Sequence, residues 1–202
     1  MDFNKIFLDA KLVLIEPSKF FKKLKRQKGL KEAFVYYSVI SLIGTIIGII
    51  CYYLFFPFYI ALSSFFLFSS VKEMVKASVL IPLSFLGWIF VIFWSFVSAG
   101  FLHVYLLIFG AKGKYEDTYK IYAYSSTPYV LFKGLPLIGF IGTFYKLFLL
   151  IIGTHEIHKM SKKKAALIYL IPIAVVIILI IIILYFGFSL IQSHPELLKQ
   201  AA

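Results

Sequence analysis

His155, Glu156 and His158 stand within four positions in the run THEIHKMSKKKAAL, residues 154–167. In the zinc-protease signature HExxH, two histidines four apart on one helix face ligate Zn²⁺, and the Glu between them is the general base. HEIH is one residue shorter. A spacing of three still puts both imidazoles on one helical face, so two ligands are at hand and a third is needed. His103 is the candidate, with Glu116 and Asp117 further along the chain. The competing reading makes His155, Glu156 and His158 interfacial polar residues that lead into a lysine cluster.

Lys146 is the second candidate. It lies inside an apolar run, IGFIGTFYKLFLLIIG, and a charge in such a run either lines a polar cavity or snorkels toward the interface. The third is the stretch YKIYAYSSTPYVLFK, residues 119–133. Three hydroxyl residues precede Pro128, and their side chains can occupy the backbone groups a proline leaves free. Tyr122, Tyr124, Ser125, Ser126 and Thr127 are expected to face a bundle interior or a wet cavity, with His103 and Lys146 nearby. No GxGxxG or Walker A loop is present, and no Ser/His/Asp set follows from spacing. Cys51 is the single cysteine, so neither an intrachain disulfide nor a CxxC site exists. No carboxylate falls in an apolar run, which argues against a proton-coupled pump. No cofactor is expected.

These residues must be positioned by helices in a membrane. Of the 202 residues, 61% are hydrophobic and the mean hydropathy is +0.93, against about 45–50% apolar in ordinary domains. The excess comes in blocks of ~18 residues or more with few charges, the mark of membrane spans. The start, MDFNKIFLDAKL, does not read as a signal peptide. The expected fold is all-α: a polytopic membrane helical bundle with five transmembrane helices at about 34–56, 77–109, 119–133, 137–154 and 165–188. Residues 34–190 form the membrane domain and 191–202 a short extracytoplasmic tail. Residues 57–76 read as a connection lying partly in the interface, 110–118 as a polar loop, and 155–164 as a basic loop.

Residues 1–33 read as a cytoplasmic amphipathic and basic segment. Phe3, Ile6, Phe7, Ala10, Val13 and Leu14 recur at helical spacing, while Asp2, Asn4, Lys5, Asp9 and Lys11 lie mostly off that stripe, the pattern of an interfacial helix. Pro17 ends it. Phe20, Phe21 and Leu24 follow among Lys19, Lys22 and Lys23; each basic residue at an anionic surface contributes about 1 kcal/mol. With the N-terminus inside, sixteen of the 21 Lys and Arg fall on the cytoplasmic side, four outside, and Lys146 within the membrane. This asymmetry sets the orientation: a cell-membrane protein with its N-terminus cytoplasmic and its C-terminus extracytoplasmic. The formal net charge of +12 then reports loops facing anionic lipid rather than nucleic acid. Gly44 and Gly48 in GTIIG form a GxxxG pattern that permits close helix packing and a homodimer.

AYSSTP, residues 123–128, resembles the [G/A]-Y-x-x-x-P element in the third span of the Yip (Ypt/Rab-interacting protein) domain family. P-x-x-F-F at Pro17–Phe21 before the first span, the fourth-span run into a histidine- and lysine-rich loop, and KKKAAL entering the fifth span agree with it. The resemblance covers roughly residues 15–190 and carries Tyr122, Ala123, Tyr124, Ser125, Thr127, Pro128 and Lys146 as the motif region. The D-L-Y-G-P element of eukaryotic trafficking members is absent, and the chain is similar to short prokaryotic-type members, for which trafficking by Rab GTPases is not expected.

Three functions are consistent with these residues. The first is a non-enzymatic scaffold or adaptor that binds anionic inner-leaflet lipid or a cytosolic protein through Phe3, Phe7, Lys19, Phe20, Phe21, Lys22, Lys23, Lys162, Lys163 and Lys164. The second is a transporter, channel or lipid-handling protein with a polar cavity beside the third span. The third is a metal-dependent membrane enzyme using His155, His158, His103 and Glu156.

Overall fold

The computed structural model describes residues 3–25, 29–67 and 75–193. Among them there are nine helices and no strand: α1 (Phe3–Ile15), α2 (Pro17–Leu24), α3 (Lys31–Leu54), α4 (Phe56–Leu67), α5 (Ala77–Ile108), α6 (Tyr115–Ser125), α7 (Thr127–Phe132), α8 (Ile138–His158) and α9 (Lys162–Ser193). Four of them, α3, α5, α8 and α9, are long and apolar enough to cross a membrane. The tail 194–202 and positions 68–74 of the expected connection lie outside the described residues; the first part of that connection is helix α4.

The distribution of side chains is that of a protein in lipid. Phe90, Phe93, Phe101, Phe140, Phe144 and Ile183 are exposed, whereas Ser41, Ser95, Thr118, Ser125, Thr127 and Thr154 are buried. Large apolar side chains outward and hydroxyls inward are favourable where the solvent offers no hydrogen bonds. α9 is the extreme case: Ala165, Ile168 and Tyr169 hold its first turns against α8, and every described side chain from Leu170 to Phe186 is exposed.

The expected third span is the most altered. It starts at Tyr115, inside the expected 110–118 loop, and it breaks into α6 and α7. Asp117 accepts from the Lys114 backbone N–H at 3.2 Å, and Glu116 and Asp117 fill the first turn, where the positive end of the helix dipole favours acids. The break has a local cause. Pro128 has no N–H, so the Tyr124 carbonyl four residues back loses its helical donor. The Thr127 hydroxyl donates to that carbonyl at 2.7 Å, and the Ser126 hydroxyl donates to the Tyr122 carbonyl, also at 2.7 Å.

α6 and α7 pack between α3, α5 and α8. At Gly44 of α3, a Cβ would stand 2.3 Å from the Val130 carbonyl oxygen of α7. Gly44 therefore serves a contact within the chain, whereas a Cβ at Gly48 would meet nothing within 4 Å.

The N-terminal helices also depart from expectation. Ile6, Ala10 and Val13 face the bundle and are buried, while Phe3, Phe7 and Leu8 are exposed. Asp9, expected off the stripe, is buried with them. Phe20 and Phe21, expected on a lipid or partner surface, are core residues: the Phe20 ring meets Tyr124 edge-on at 4.9 Å, and Phe21 is fully buried. Removing these rings from solvent into a protein interior suits them as well as lipid would, so their chemistry alone does not set direction. Lys19, Lys22 and Lys23, which flank them in sequence, remain outward. The Tyr145 hydroxyl donates to the Leu14 carbonyl and ties α1 to α8.

Candidate functional site

α8 runs to His158, four residues beyond its expected end, so HEIH is the last turn of a helix rather than a loop. Lys159, with φ 56°, takes the left-handed conformation that stops the helix. The turn then sends its polar side chains to different places. The His155 Nδ1 pairs with the Met160 carbonyl at 2.5 Å. Glu156 turns toward α2, where Lys22 Nζ stands 4.0 Å from its carboxylate and Lys25 Nζ donates to its backbone carbonyl at 3.2 Å. Only His158 points toward His103. The four candidate metal ligands are thus not brought together, and among the described residues no group of three or more His, Cys, Asp or Glu is placed to hold a metal.

What His103 and His158 do share is Thr118. His103 Nδ1 lies 2.8 Å from the Thr118 hydroxyl and His158 Nε2 lies 3.0 Å from it. His158 Nδ1 lies 3.0 Å from the Lys112 carbonyl. A carbonyl only accepts, so the neutral His158 ring carries its proton on Nδ1 and accepts at Nε2. Thr118 then donates to His158 and accepts from His103 Nδ1–H. The result is a directed chain from α5 through α6 to the end of α8. The 110–114 loop completes it by bringing its backbone against the His158 ring: at Gly113, with φ +151°, a Cβ would stand 2.8 Å from His158 Nδ1.

A second polar cluster lies under α1 and α2. The Thr127 hydroxyl donates to Tyr124, so the 2.7 Å contact between Tyr36 and Thr127 has Tyr36 as the donor. The Tyr36 and Tyr124 rings lie 4.2 Å apart. The buried Tyr124 and Ser125 hydroxyls have no hydrogen-bond partner, a cost in a packed interior. Asp9 faces this cluster from α1, and burial raises its carboxyl pKa above the usual value, opposed in part by Lys5 and Lys23. Ala123 and Pro128 are buried in the same packing.

The third site is on the other side of α6 and α7. Lys146 Nζ stands over the Tyr122 ring at 4.7 Å from its centroid and over Tyr129 at 5.3 Å. It lines a cavity of about 310 Å³ with Tyr129, Thr143, Phe144, Leu147 and Ile173. Tyr122 and Lys146 therefore belong together, whereas Tyr124, Ser125 and Thr127 face the opposite way and His103 lies at the end of the bundle. The single cavity expected from the sequence is three separate sites.

A family model for the Yip1 domain matches residues 11–184. The chain belongs to the Yip1 domain family. No curated protein and no solved structure matches it. The matched region of this Yip1 domain takes in every helix from α2 to α8, the C-terminal end of α1 and most of α9. The protein is accordingly a multi-pass membrane protein, and AYSSTP is the segment at which α6 gives way to α7. Sequence reasoning missed Asp9, Tyr36 and Thr118. Asp9 carried a signal: it stands three residues after Ile6 and four before Val13, in line with the stripe that docks α1.

At the α1–α2 end of the Yip1 bundle, Lys19, Lys22 and Lys23 on α2 are exposed, as are Lys162, Lys163 and Lys164 on the first turn of α9. Lys22 and Lys25 reach Glu156 at the end of α8, six residues before the start of the second lysine set. Lys5 pairs with Glu32 at 2.7 Å and fixes α1 to the start of α3.

Proposed function

We propose that this Yip1-family protein is a non-enzymatic scaffold or adaptor whose basic end lies at the cytoplasmic surface and holds anionic lipid or a cytosolic protein. In this reading the chain crosses the membrane five times, with α6 and α7 together making the third crossing. The N-terminus is cytoplasmic and the C-terminus extracytoplasmic. α1 lies at the interface, with Phe3 and Phe7 toward lipid and Ile6, Ala10 and Val13 toward the bundle.

The observation that carries the reading is the anchoring of α2. Its apolar residues Phe20, Phe21 and Leu24 are buried, its lysines are exposed, and Glu156 ties it to α8. The lysines are thus presented by a docked helix rather than by a free leader. A preorganised cationic face loses less entropy on meeting anionic headgroups than an unstructured one.

The test uses full-length protein in phosphatidylcholine nanodiscs, mixed with vesicles containing phosphatidylglycerol. Co-flotation at low salt is expected, weakening as salt rises. Replacing Lys19, Lys22, Lys23, Lys162, Lys163 and Lys164 by Gln is expected to abolish it. Unchanged co-flotation of that variant would sink the lipid-surface reading. A second reading, a lipid-handling protein, is favoured by one observation: the cavity beside Lys146.

A further inference from the structure

Lys146 is a cation set in an apolar wall. It stands eight residues from the start of α8 and twelve from its end, ~12 and ~18 Å of helix rise. Its ammonium is turned onto the faces of Tyr122 and Tyr129. None of the four ion pairs among the described residues involves it. Two aromatic faces replace only part of the hydration that an ammonium loses in a membrane interior. An anion beside it would supply the remainder.

The space for one is continuous with the outside of the bundle. The 310 Å³ cavity at Lys146 shares Tyr129 and Thr143 with a second cavity of about 490 Å³, lined also by Phe58, Tyr59, Lys133 and Phe140. Together they form a cleft from the α7–α8 turn to the middle of α8. Lys133, exposed, stands at its mouth. The Tyr59 hydroxyl donates to the Gly134 carbonyl at 2.6 Å and holds α4 along one edge. Phe140, Phe144 and Ile173 on the cleft wall are exposed to the lipid side. With its lipid-side wall apolar and a lysine at its mouth, the cleft suits an amphiphile entering sideways from the bilayer.

We propose that this cleft between α4, α7, α8 and α9 binds one membrane phospholipid with an anionic headgroup, drawn in so that its phosphate lies between Lys133 and Lys146 while its acyl chains leave past Phe140, Phe144 and Ile173. The proposal rests on the lipid-handling reading and is independent of the basic face. From Gly139, at the mouth, to Lys146 is seven residues, ~10 Å of helix rise, so a headgroup at Lys146 is a lipid drawn partway into the membrane.

The test uses full-length protein in phosphatidylcholine nanodiscs doped with phosphatidylglycerol that carries a diazirine next to the glycerol. After irradiation, peptide mapping is expected to find label between residues 129 and 147. Lys146→Met is expected to cut this labelling about tenfold, the loss of one charge-assisted contact, while Lys146→Arg keeps it. Thermal unfolding checks the fold; should Lys146→Met unfold, Lys146→Gln takes its place. Lys22→Gln with Lys23→Gln is expected to leave the label in place, and millimolar inorganic phosphate is expected not to compete. The proposal is overturned if the Lys146 variants label like the wild type, if phosphate displaces the probe, or if the Lys22 and Lys23 change removes the label. Equal labelling by a phosphatidylcholine diazirine would show an open cleft without anion selectivity, sinking this proposal but not the lipid-handling reading. No label from either probe would sink both.

Discussion

His103 and His158 reach the same hydroxyl, that of Thr118, one from α5 and one from the last turn of α8. Among the described residues Thr118 is the one group hydrogen-bonded to both rings, and its replacement by Val leaves an imidazole donor and an imidazole acceptor unpaired in a buried setting. The expected loss is about 1–3 kcal/mol, read as a lowered unfolding temperature in detergent. Thr118→Ser is expected to retain most of the stability, because the hydroxyl and not the methyl carries the chain.

Thr127 closes the break between α6 and α7. Tyr36→Phe removes one donor and leaves Thr127 bonded to Tyr124, so its cost is expected near 1 kcal/mol. Thr127→Val strands both the Tyr36 hydroxyl and the Tyr124 carbonyl and is expected to cost more. A double-mutant cycle over the two positions is expected to show clear coupling, whereas independent sites would add.

Asp9 gives a pH dependence with a definite sign. Burial raises its carboxyl pKa in the folded protein, so the fold favours the protonated form. Its contribution is fully present below the unfolded pKa of about 3.9 and is lost as pH rises through the higher folded value. Asp9→Asn removes that loss. The variant is expected to match or exceed the wild type in stability at pH 7, and to vary less with pH above about pH 4. Equal pH profiles for the two proteins would contradict this.

Gly44 is the contact point of α3 with α7. A methyl group there meets the Val130 carbonyl at 2.3 Å, and backbone cannot yield as a side chain can. Gly44→Ala is expected to cost about 1–3 kcal/mol. The oligomeric state in detergent, measured by light scattering, is expected to be the same before and after the change, since the Gly44 contact lies inside the chain.

The break of the third span into α6 and α7 was not expected, but the membrane class, the long helices and the hydroxyls that occupy carbonyls freed by Pro128 were readable from residue order, because block hydropathy and the hydroxyls before Pro128 have purely local causes. Direction was not. In water an apolar stripe points inward; in lipid both the bundle and the surroundings accept it, so the Ile6–Ala10–Val13 stripe and the Phe20–Phe21 pair gave no sign of which way they faced. The two histidines of HEIH share a helix face by spacing, but the left-handed Lys159 and the return of the chain to Met160 draw His155 away from His158. The cluster at Thr118 depends on residues 15 and 40 positions apart, a relation that only the packed bundle creates.

The broken α6–α7 pair also bears on how the protein is made. Its two helices have 11 and 6 residues, too short to span ~30 Å of hydrocarbon separately. Most of its buried side chains, Thr118 to Val130, lean on α3, α5 or α8, and α8 is synthesised after it. During translation the segment therefore has little reason to partition into lipid on its own. Its entry among the other helices is a folding step that waits for a later part of the chain, and the interval before α8 emerges is when this protein is most exposed to quality control.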